Sequence, residues 1–242
     1  MIATDQPICF PDNVLVRVSS RGDGTLLDRI NGERHAPEVV ARRRAFCAKA
    51  GVDYDTCAYM IITYDTGRTY DVIREVTEPN TEGYLADVLY TTTPGIGLFL
   101  PVADCIGTVI YDPVQLSLTL AHVGRHASEA DTLAKTISYL AEKGSNPEDL
   151  IIWMAPAVTQ DHYRMDYFAQ KEDLLWRGFF TEKDDGVYID LQGYNRSRAI
   201  ASGVLPAHIY TSEVDTAVDP HYFSHSQGDT SGRFAVVAML RP

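Results

Sequence analysis

Two residues of types that often carry chemistry, Cys105 and His122, lie where predicted strands end. Cys105 stands at the junction of two strand-like runs, and His122 closes a further run immediately before a helical segment. A thiol and an imidazole at such positions can act as a nucleophile and its base, or can donate two ligands to a metal ion. The alternative is a small buried cysteine and a hydrogen-bonded core histidine, and spacing alone favours that alternative.

The strands that position this pair are predicted from hydrophobic patterning. Short runs rich in Val, Ile, Leu and Tyr predict strands at 14–19, 58–63, 97–102, 106–111, 116–122, 151–154 and 234–240. Asp112-Pro113 is typical of a turn, so we expect the runs on either side of it to pair as a hairpin.

Helices are predicted between these runs. Apolar residues at spacings of three and four predict a helix at 127–143, which a capping box of Ser128 and Asp131 would start. Further helices are expected at 37–50 and 191–202. The helix at 37–50 carries three consecutive arginines, which we interpret as a solvated basic face: Arg42, Arg43 and Arg44.

Composition favours one globular domain over residues 1–242. Hydrophobic residues make up 45% of the chain, and the net charge of −12 disfavours nonspecific binding to nucleic acid or to an anionic membrane. A small-molecule or protein partner is expected instead; the sequence leaves the oligomeric state open. The amino terminus MIATDQPICF lacks an export signal, the four cysteines form no CxxC pair, and no uncharged stretch could span a membrane, so we expect a cytoplasmic protein.

Several motifs, in their order along the chain, resemble one known family. They are SSRGDG at 19–24, ADVLYTTTPG at 86–95, ADC at 103–105, YDP at 111–113, AHVG at 121–124 and YFSHSQGDTSGRFA at 222–235. The spacing of Cys105 and His122 also agrees with that family. The chain resembles the laccase-domain proteins, which were long labelled multicopper polyphenol oxidases and are associated with zinc-dependent purine nucleoside chemistry.

This resemblance implies an α+β fold with four layers, α/β/β/α, and mixed sheets, and a metal ion held by one Cys and two His. Cys105 and His122 match two of the family's ligands. The third ligand normally comes from a QVHG motif, whereas this chain has TYDTG at 63–67, without a histidine. Asp65 is either an oxygen ligand to zinc or the start of a turn before Gly67, and we weight these two interpretations equally.

Other pocket motifs of the family are altered in this chain. Arg125 and His126 replace the Trp and Arg of AHAGWRG, and His162 stands at the position of another family Cys. His225 lies in a segment that has lost two arginines. These histidines indicate either a re-specialised site that changes charge near neutral pH or drift in a site without constraint.

Two arginines of the family's motifs are retained, Arg21 and Arg233. They are candidate anion-binding residues, and the alternative for each is an ordinary loop salt bridge.

Copper oxidase chemistry is disfavoured by the composition. Multicopper sites need many imidazoles, and the seven histidines here include no H-x-H pair. The leading hypothesis is a zinc enzyme that deaminates or phosphorolyses purine nucleosides, with Cys105, His122, His126 and His162 as catalytic candidates and with Arg21, Arg125, His225 and Arg233 binding the substrate.

Two alternatives keep the fold. One is a metal-free hydrolase or deamidase with Cys105 as nucleophile and His122 as base, as in the similar catalytic domain of the cytotoxic necrotizing factor toxins. The other is a catalytically inactive binding protein. Because arginine positions are lost, we expect phosphorolysis to be weak relative to deamination.

Overall fold

The computed structural model describes residues 5–27, 33–64 and 68–242. Its helices are α1 (Pro37–Ala50), α2 (Arg125–Glu129), α3 (Thr132–Glu142) and α4 (Leu191–Ala201). Short 3-10 helices lie at Arg21–Asp23, Tyr54–Thr56, Pro147–Asp149, Ala169–Glu172, Leu174–Trp176 and Pro206–His208.

The strands are β1 (Val14–Val18), β2 (Cys57–Ile61), β3 (Ile73–Glu75), β4 (Asn80–Leu85), β5 (Val88–Thr91), β6 (Gly97–Val102), β7 (Ile106–Asp112), β8 (Ser117–Val123), β9 (Ile151–Met154), β10 (Arg164–Met165), β11 (Phe180–Lys183), β12 (Gly186–Ile189), β13 (Ile209–Thr211) and β14 (Phe234–Leu240). They form two large sheets, in the orders β1-β14-β6-β2-β4 and β13-β9-β7-β8-β5-β3, and a small sheet, β10-β12-β11. Both large sheets contain parallel and antiparallel pairs.

The two large sheets pack face to face because their strands are apolar on both sides. Along β6, Leu98 and Leu100 point into the core between the sheets, while Phe99 points outward against α1. Successive side chains of a strand alternate between its faces, so a strand buried on both sides is apolar throughout. On the far side, α3 and α4 cover the six-stranded sheet, whose Ile110 packs with Leu133 and Ile137. The predicted four-layer α/β/β/α architecture is confirmed.

The predicted hairpin is also confirmed, since β7 and β8 pair antiparallel from Asp112↔Ser117 to Ile106↔Val123. The helix expected at 127–143 is instead two helices, α2 and α3, separated by Asp131 with a φ of 56°. The carboxylate of Asp131 accepts both hydrogen bonds of the Arg198 fork, at 2.9 and 2.8 Å, which holds the break in place. No Ser128–Asp131 capping box forms; the buried Ser128 hydroxyl donates to the carbonyl oxygen of Gly124.

The solvated face expected on α1 is wrong for Arg43. Its side chain is fully buried, whereas Arg42 is half-buried and Arg44 is exposed. In the described part of the chain, no helix has both the length and the apolar character that crossing a membrane requires.

Candidate active site

A cleft of about 700 Å³ lies where ends of both large sheets meet the small sheet. Its wall includes Met60 of β2, Val102 of β6, His122 of β8 and Met165 of β10. Cys105, between β6 and β7, and Gly124, between β8 and α2, also line it. The cleft is therefore built on strand ends, and residues there are held by the register of the sheets.

The conformation of Asp104 sets the turn of the backbone directly before Cys105. It has a φ of 67°, a left-handed conformation that an aspartate adopts more readily than most residues. One carboxylate oxygen accepts from the Thr216 hydroxyl at 2.8 Å, and the other accepts from the Ser226 N–H at 2.7 Å. These bonds connect the Cys105 turn to two distant loops and leave the thiol half-buried in the cleft.

The thiol of Cys105 and the imidazole of His122 converge on one point next to Gly124. A Cβ added to Gly124 would lie 2.7 Å from the Cys105 Sγ and 3.2 Å from the His122 Nε2. The structure thus brings together the two residues that the sequence singled out, and a glycine leaves the space that they share.

His122 is oriented by Asp87, a fully buried aspartate immediately before β5. The His122 Nδ1 lies 3.1 Å from the Asp87 Oδ1, and the backbone N–H of His122 donates to the Asp87 carbonyl oxygen at 2.7 Å. Because a carboxylate accepts hydrogen bonds, Nδ1 carries the proton and Nε2 faces Cys105. Among the described residues, the buried Asp87 Oδ2 has no hydrogen-bond partner.

The charge state of His122 follows from this environment. Burial alone lowers the pKa of the imidazole, but the negative charge and hydrogen bond of Cys105, together with Asp87, outweigh burial and raise the pKa of His122 above its ordinary value. The protonated form of the imidazole is therefore favoured.

A second group of cleft residues surrounds Arg125. Its guanidinium donates to the Glu129 Oε1 at 2.7 Å and contacts the His126 Nε2 at 2.9 Å. His126 stacks in parallel on Tyr70, with ring centroids 5.0 Å apart. Burial and the Arg125 charge lower the pKa of His126, so its ring is neutral at neutral pH.

Tyr163 places a phenol near Cys105. Burial, followed by the negative charge of Cys105, raises the pKa of this phenol, so it remains a hydrogen-bond donor.

Of the other residues that the sequence proposed for substrate binding, some line the cleft and one does not. Arg233 and His225 line the cleft, and the Arg233 guanidinium donates to the carbonyl oxygens of Gly232 and Asp229 at 2.6 and 3.2 Å. Arg21 is not among the lining residues, because its guanidinium pairs with Asp229 at 2.6 Å.

His162 is also absent from the lining. It is paired with Asp215 at 2.6 Å, and the next residue, Tyr163, takes its expected place in the cleft.

Sequence reasoning missed Asp87, Tyr163 and Arg34 as cleft or supporting residues. Asp87 lies inside the ADVLY segment, where an aspartate directly before a buried strand was the available signal. For Tyr163 and Arg34, the sequence contains no comparable signal.

The described residues do not by themselves fit the zinc ion that the family resemblance implies. Catalytic zinc sites use three protein ligands. Cys105 and His122 supply two donors, and within 5–27, 33–64 and 68–242 no group of three His, Cys, Asp or Glu side chains is placed to hold a metal ion. Asp65, which the sequence left equally open as a zinc ligand or a turn residue, lies outside the described residues.

The chain matches a family model that is described as a laccase, and it is similar to individual proteins that are named purine nucleoside phosphorylases. A family model described as multi-copper polyphenol oxidoreductase laccase matches residues 28–241. A Xylella fastidiosa protein named purine nucleoside phosphorylase is 28% identical over 174 residues, 69% of this chain and 64% of that protein. A Mycobacterium tuberculosis protein also named a purine nucleoside phosphorylase is 25% identical over 258 residues, 99% of this chain and 100% of that protein.

Solved structures share the fold. Hypothetical protein YfiH of Bacillus licheniformis superimposes with a TM-score of 0.83 at 23% identity and covers 99% of both chains. YlmD of Geobacillus stearothermophilus gives a TM-score of 0.82 at 21% identity, over 98% of this chain and 94% of that one.

The first prediction concerns Asp87. Asp87→Asn removes the buried carboxylate that stabilises the imidazolium, so the pKa of His122 should fall by about one unit or more. Titration of the His122 ring by NMR measures this, with Asp215→Asn, beside His162, as the matched control. An unchanged His122 titration would mean that Asp87 does not set its charge.

The second prediction concerns metal affinity. Asp65→His should tighten zinc binding by about tenfold or more, because an imidazole binds zinc more strongly than a carboxylate does and would complete a Cys–His–His set. Zinc titration of both proteins tests this, with Asp55→His, in the exposed middle position of the 3-10 helix Tyr54–Thr56, as a control. Equal affinities would place residue 65 away from the ion.

Proposed function

Because the chain belongs to the multi-copper polyphenol oxidoreductase laccase family, and because relatives are named purine nucleoside phosphorylases, we propose that it is an enzyme that phosphorolyses purine nucleosides. The observation that carries the proposal is the convergence of the Cys105 Sγ and the His122 Nε2 on one point of a cleft. The copper chemistry of the family's description has no support in the seven histidines, which include no H-x-H pair.

The cleft suits a ligand with one flat apolar part and several polar groups. Its volume of about 700 Å³ falls within the usual range for small-molecule sites. Tyr64, Tyr70 and His126 form an aromatic group on the wall, with ring centroids 5.0 to 6.2 Å apart. Aromatic rings stack on planar groups, and a purine is such a group.

The positive charge of the lining favours phosphorolysis over deamination, against the expectation from the altered motifs. Arg34, Arg125, Arg164 and Arg233 line the cleft, whereas Asp104 is the one carboxylate among its described lining residues. Arg34 and Arg164 lie outside the motifs on which that expectation was based. In a chain of net charge −12, such a lining attracts an oxyanion locally.

The reaction breaks the bond between the purine nitrogen and C1′ of the ribose, and forms a bond from C1′ to a phosphate oxygen. The base leaves as an anion and needs a proton. His122 is the group placed to give one, since Asp87 holds its Nε2 toward the cleft and the raised pKa keeps it protonated. The arginines hold the phosphate and orient its oxygen.

A second candidate function rests on the Asp87–His122–Cys105 arrangement itself. A thiol beside an imidazole that a buried carboxylate orients is the arrangement of cysteine hydrolases. In that case Cys105 attacks a carbonyl or amidine carbon, and His122 protonates the leaving group. The covalent adduct would then be detected on Cys105 by mass spectrometry.

The test is product analysis with inosine, adenosine and guanosine, each with and without phosphate. We expect phosphate-dependent release of free base and ribose 1-phosphate, and a loss of about 100-fold or more in kcat/KM for Cys105→Ala and His122→Ala. Asp215→Asn serves as the control. Phosphate-independent deamination would contradict the phosphorolysis proposal, and an enzyme–substrate adduct would favour the hydrolase.

Gly124 provides a separate prediction. Gly124→Ala puts a methyl group 2.7 Å from the Cys105 Sγ, closer than van der Waals contact, and should separate the thiol from His122. We expect kcat to fall by about tenfold or more while folding is kept, since the φ of −88° at residue 124 suits alanine. Steady-state kinetics and thermal melting measure the two effects. Wild-type kcat in this variant would mean that the contact between Cys105 and His122 does not matter.

A further inference from the structure

Arg43 is a fully buried guanidinium on the inner face of α1, and it makes no ion pair with a carboxylate among the described residues. Burying a charge without compensation is costly. Such a residue persists only where its hydrogen bonds replace those of water, so the partners of Arg43 indicate what it is there to hold.

The guanidinium of Arg43 connects two places that are separate in the sequence. Its Nε donates to the carbonyl oxygen of Leu26 at 2.7 Å, and its Nη2 donates to that of Arg34 at 2.5 Å. Nη1 and Nη2 also donate to the hydroxyls of Tyr54 and Tyr59, at 3.1 and 3.2 Å. A planar fork of donors can make all these bonds at once, which the single ammonium of a lysine cannot.

The parts of the chain held in this way belong to the wall of the cleft. Leu27 follows Leu26 directly and lines the cleft, as do Arg34 and the ring of Tyr59. The Arg43 guanidinium lies over that ring, 4.3 Å from its centroid. Arg43 therefore fixes one side of the cleft from behind.

Arg34 differs from the other arginines of the lining. Arg125 is paired with Glu129, Arg164 with Asp166, and Arg233 with backbone carbonyl oxygens. Within the described ranges, the Arg34 guanidinium has neither a hydrogen-bond acceptor nor a carboxylate partner. The Arg34 backbone carbonyl oxygen accepts from the buried Arg43, so the base of the Arg34 side chain is fixed.

We propose that Arg34 contacts the oxyanion of the ligand, and that Arg43 is the positioning residue that holds Arg34 and Leu27 against the cleft. This inference rests on the proposed function and identifies the oxyanion as phosphate. Because no carboxylate in the described part of the chain competes for it, the Arg34 guanidinium can offer its donors to a phosphate in a bidentate pair.

The experiment compares Arg34→Gln and Arg43→Lys with wild type and with Arg44→Gln. Arg44 lies next to Arg43 on α1 but is exposed and paired with Asp55, which makes it a matched control. Arg34→Gln should raise the Kd for inorganic phosphate, measured by calorimetry, and the KM for phosphate by about 10- to 100-fold, with the KM for the nucleoside and the melting temperature unchanged.

Arg43→Lys tests the positioning role separately. We expect faster hydrogen–deuterium exchange in peptides containing Leu26, Leu27, Arg34 and His35, together with a raised KM for phosphate and a kcat near that of wild type. Exchange in the strands should not change, which distinguishes a local role from general destabilisation. Wild-type exchange around Leu26 and Arg34 in this variant would overturn the positioning role.

The outcomes separate this inference from the proposed function. Phosphate binding and exchange are read without turnover, so a wild-type protein that binds phosphate through Arg34 yet cleaves no nucleoside would refute the proposed reaction alone. If Arg34→Gln binds phosphate as wild type does, or if wild type binds none, the Arg34 assignment is overturned.

Discussion

The pairing of β5 with β8 is the constraint on which the site depends. Val88 lies opposite Ala121 in this antiparallel ladder, so Asp87 and His122 come next to each other one step further along. The hydrogen bond from the His122 N–H to the Asp87 carbonyl oxygen continues the ladder, and the imidazole then meets the carboxylate of the same residue. A shift of one residue would turn His122 to the opposite face of the sheet, so the apolar residues that fix the register also fix the histidine.

The neighbouring β7–β8 hairpin brings in the thiol by the same means. Ile106 pairs with Val123, which puts Cys105 opposite Gly124 at the open end of the ladder. Hydrogen bonds from the Thr216 hydroxyl and the Ser226 N–H to the Asp104 carboxylate hold the backbone turn that lies directly before Cys105. The number of residues between Cys105 and His122 is therefore a consequence of the hairpin. The turn after Asp112 sets the register of β7 against β8, and that register decides which residues lie next to each other at the end of the ladder.

Features of the site that depend on local sequence pattern could be predicted, and features that depend on contacts between distant residues could not. Strand-end placement and motif order were enough to single out Cys105 and His122, because both depend on local pattern. The break between α2 and α3 could not be predicted, since it depends on Arg198, far away in the chain, binding Asp131.

Arg43 looked like part of an exposed basic run, because its partners are carbonyl oxygens and tyrosine hydroxyls that no sequence pattern displays. His162 and Tyr163 are adjacent, and only the course of the loop decides which of them faces the cleft.

The net charge of the chain and the individual charges around the cleft act on a ligand over different distances. A chain with 33 acidic and 21 basic residues repels anions at long range, but salt screens that field within about 10 Å. Close to the cleft, what matters is which arginines already have a carboxylate partner. The charge of Arg125 is partly compensated by Glu129, and that of Arg164 by Asp166, so each of these two arginines attracts a ligand less strongly than an arginine without a carboxylate partner would. Arg34 has no carboxylate partner among the described residues, and Arg43 holds its backbone carbonyl, so only its side chain has to be ordered when an oxyanion binds.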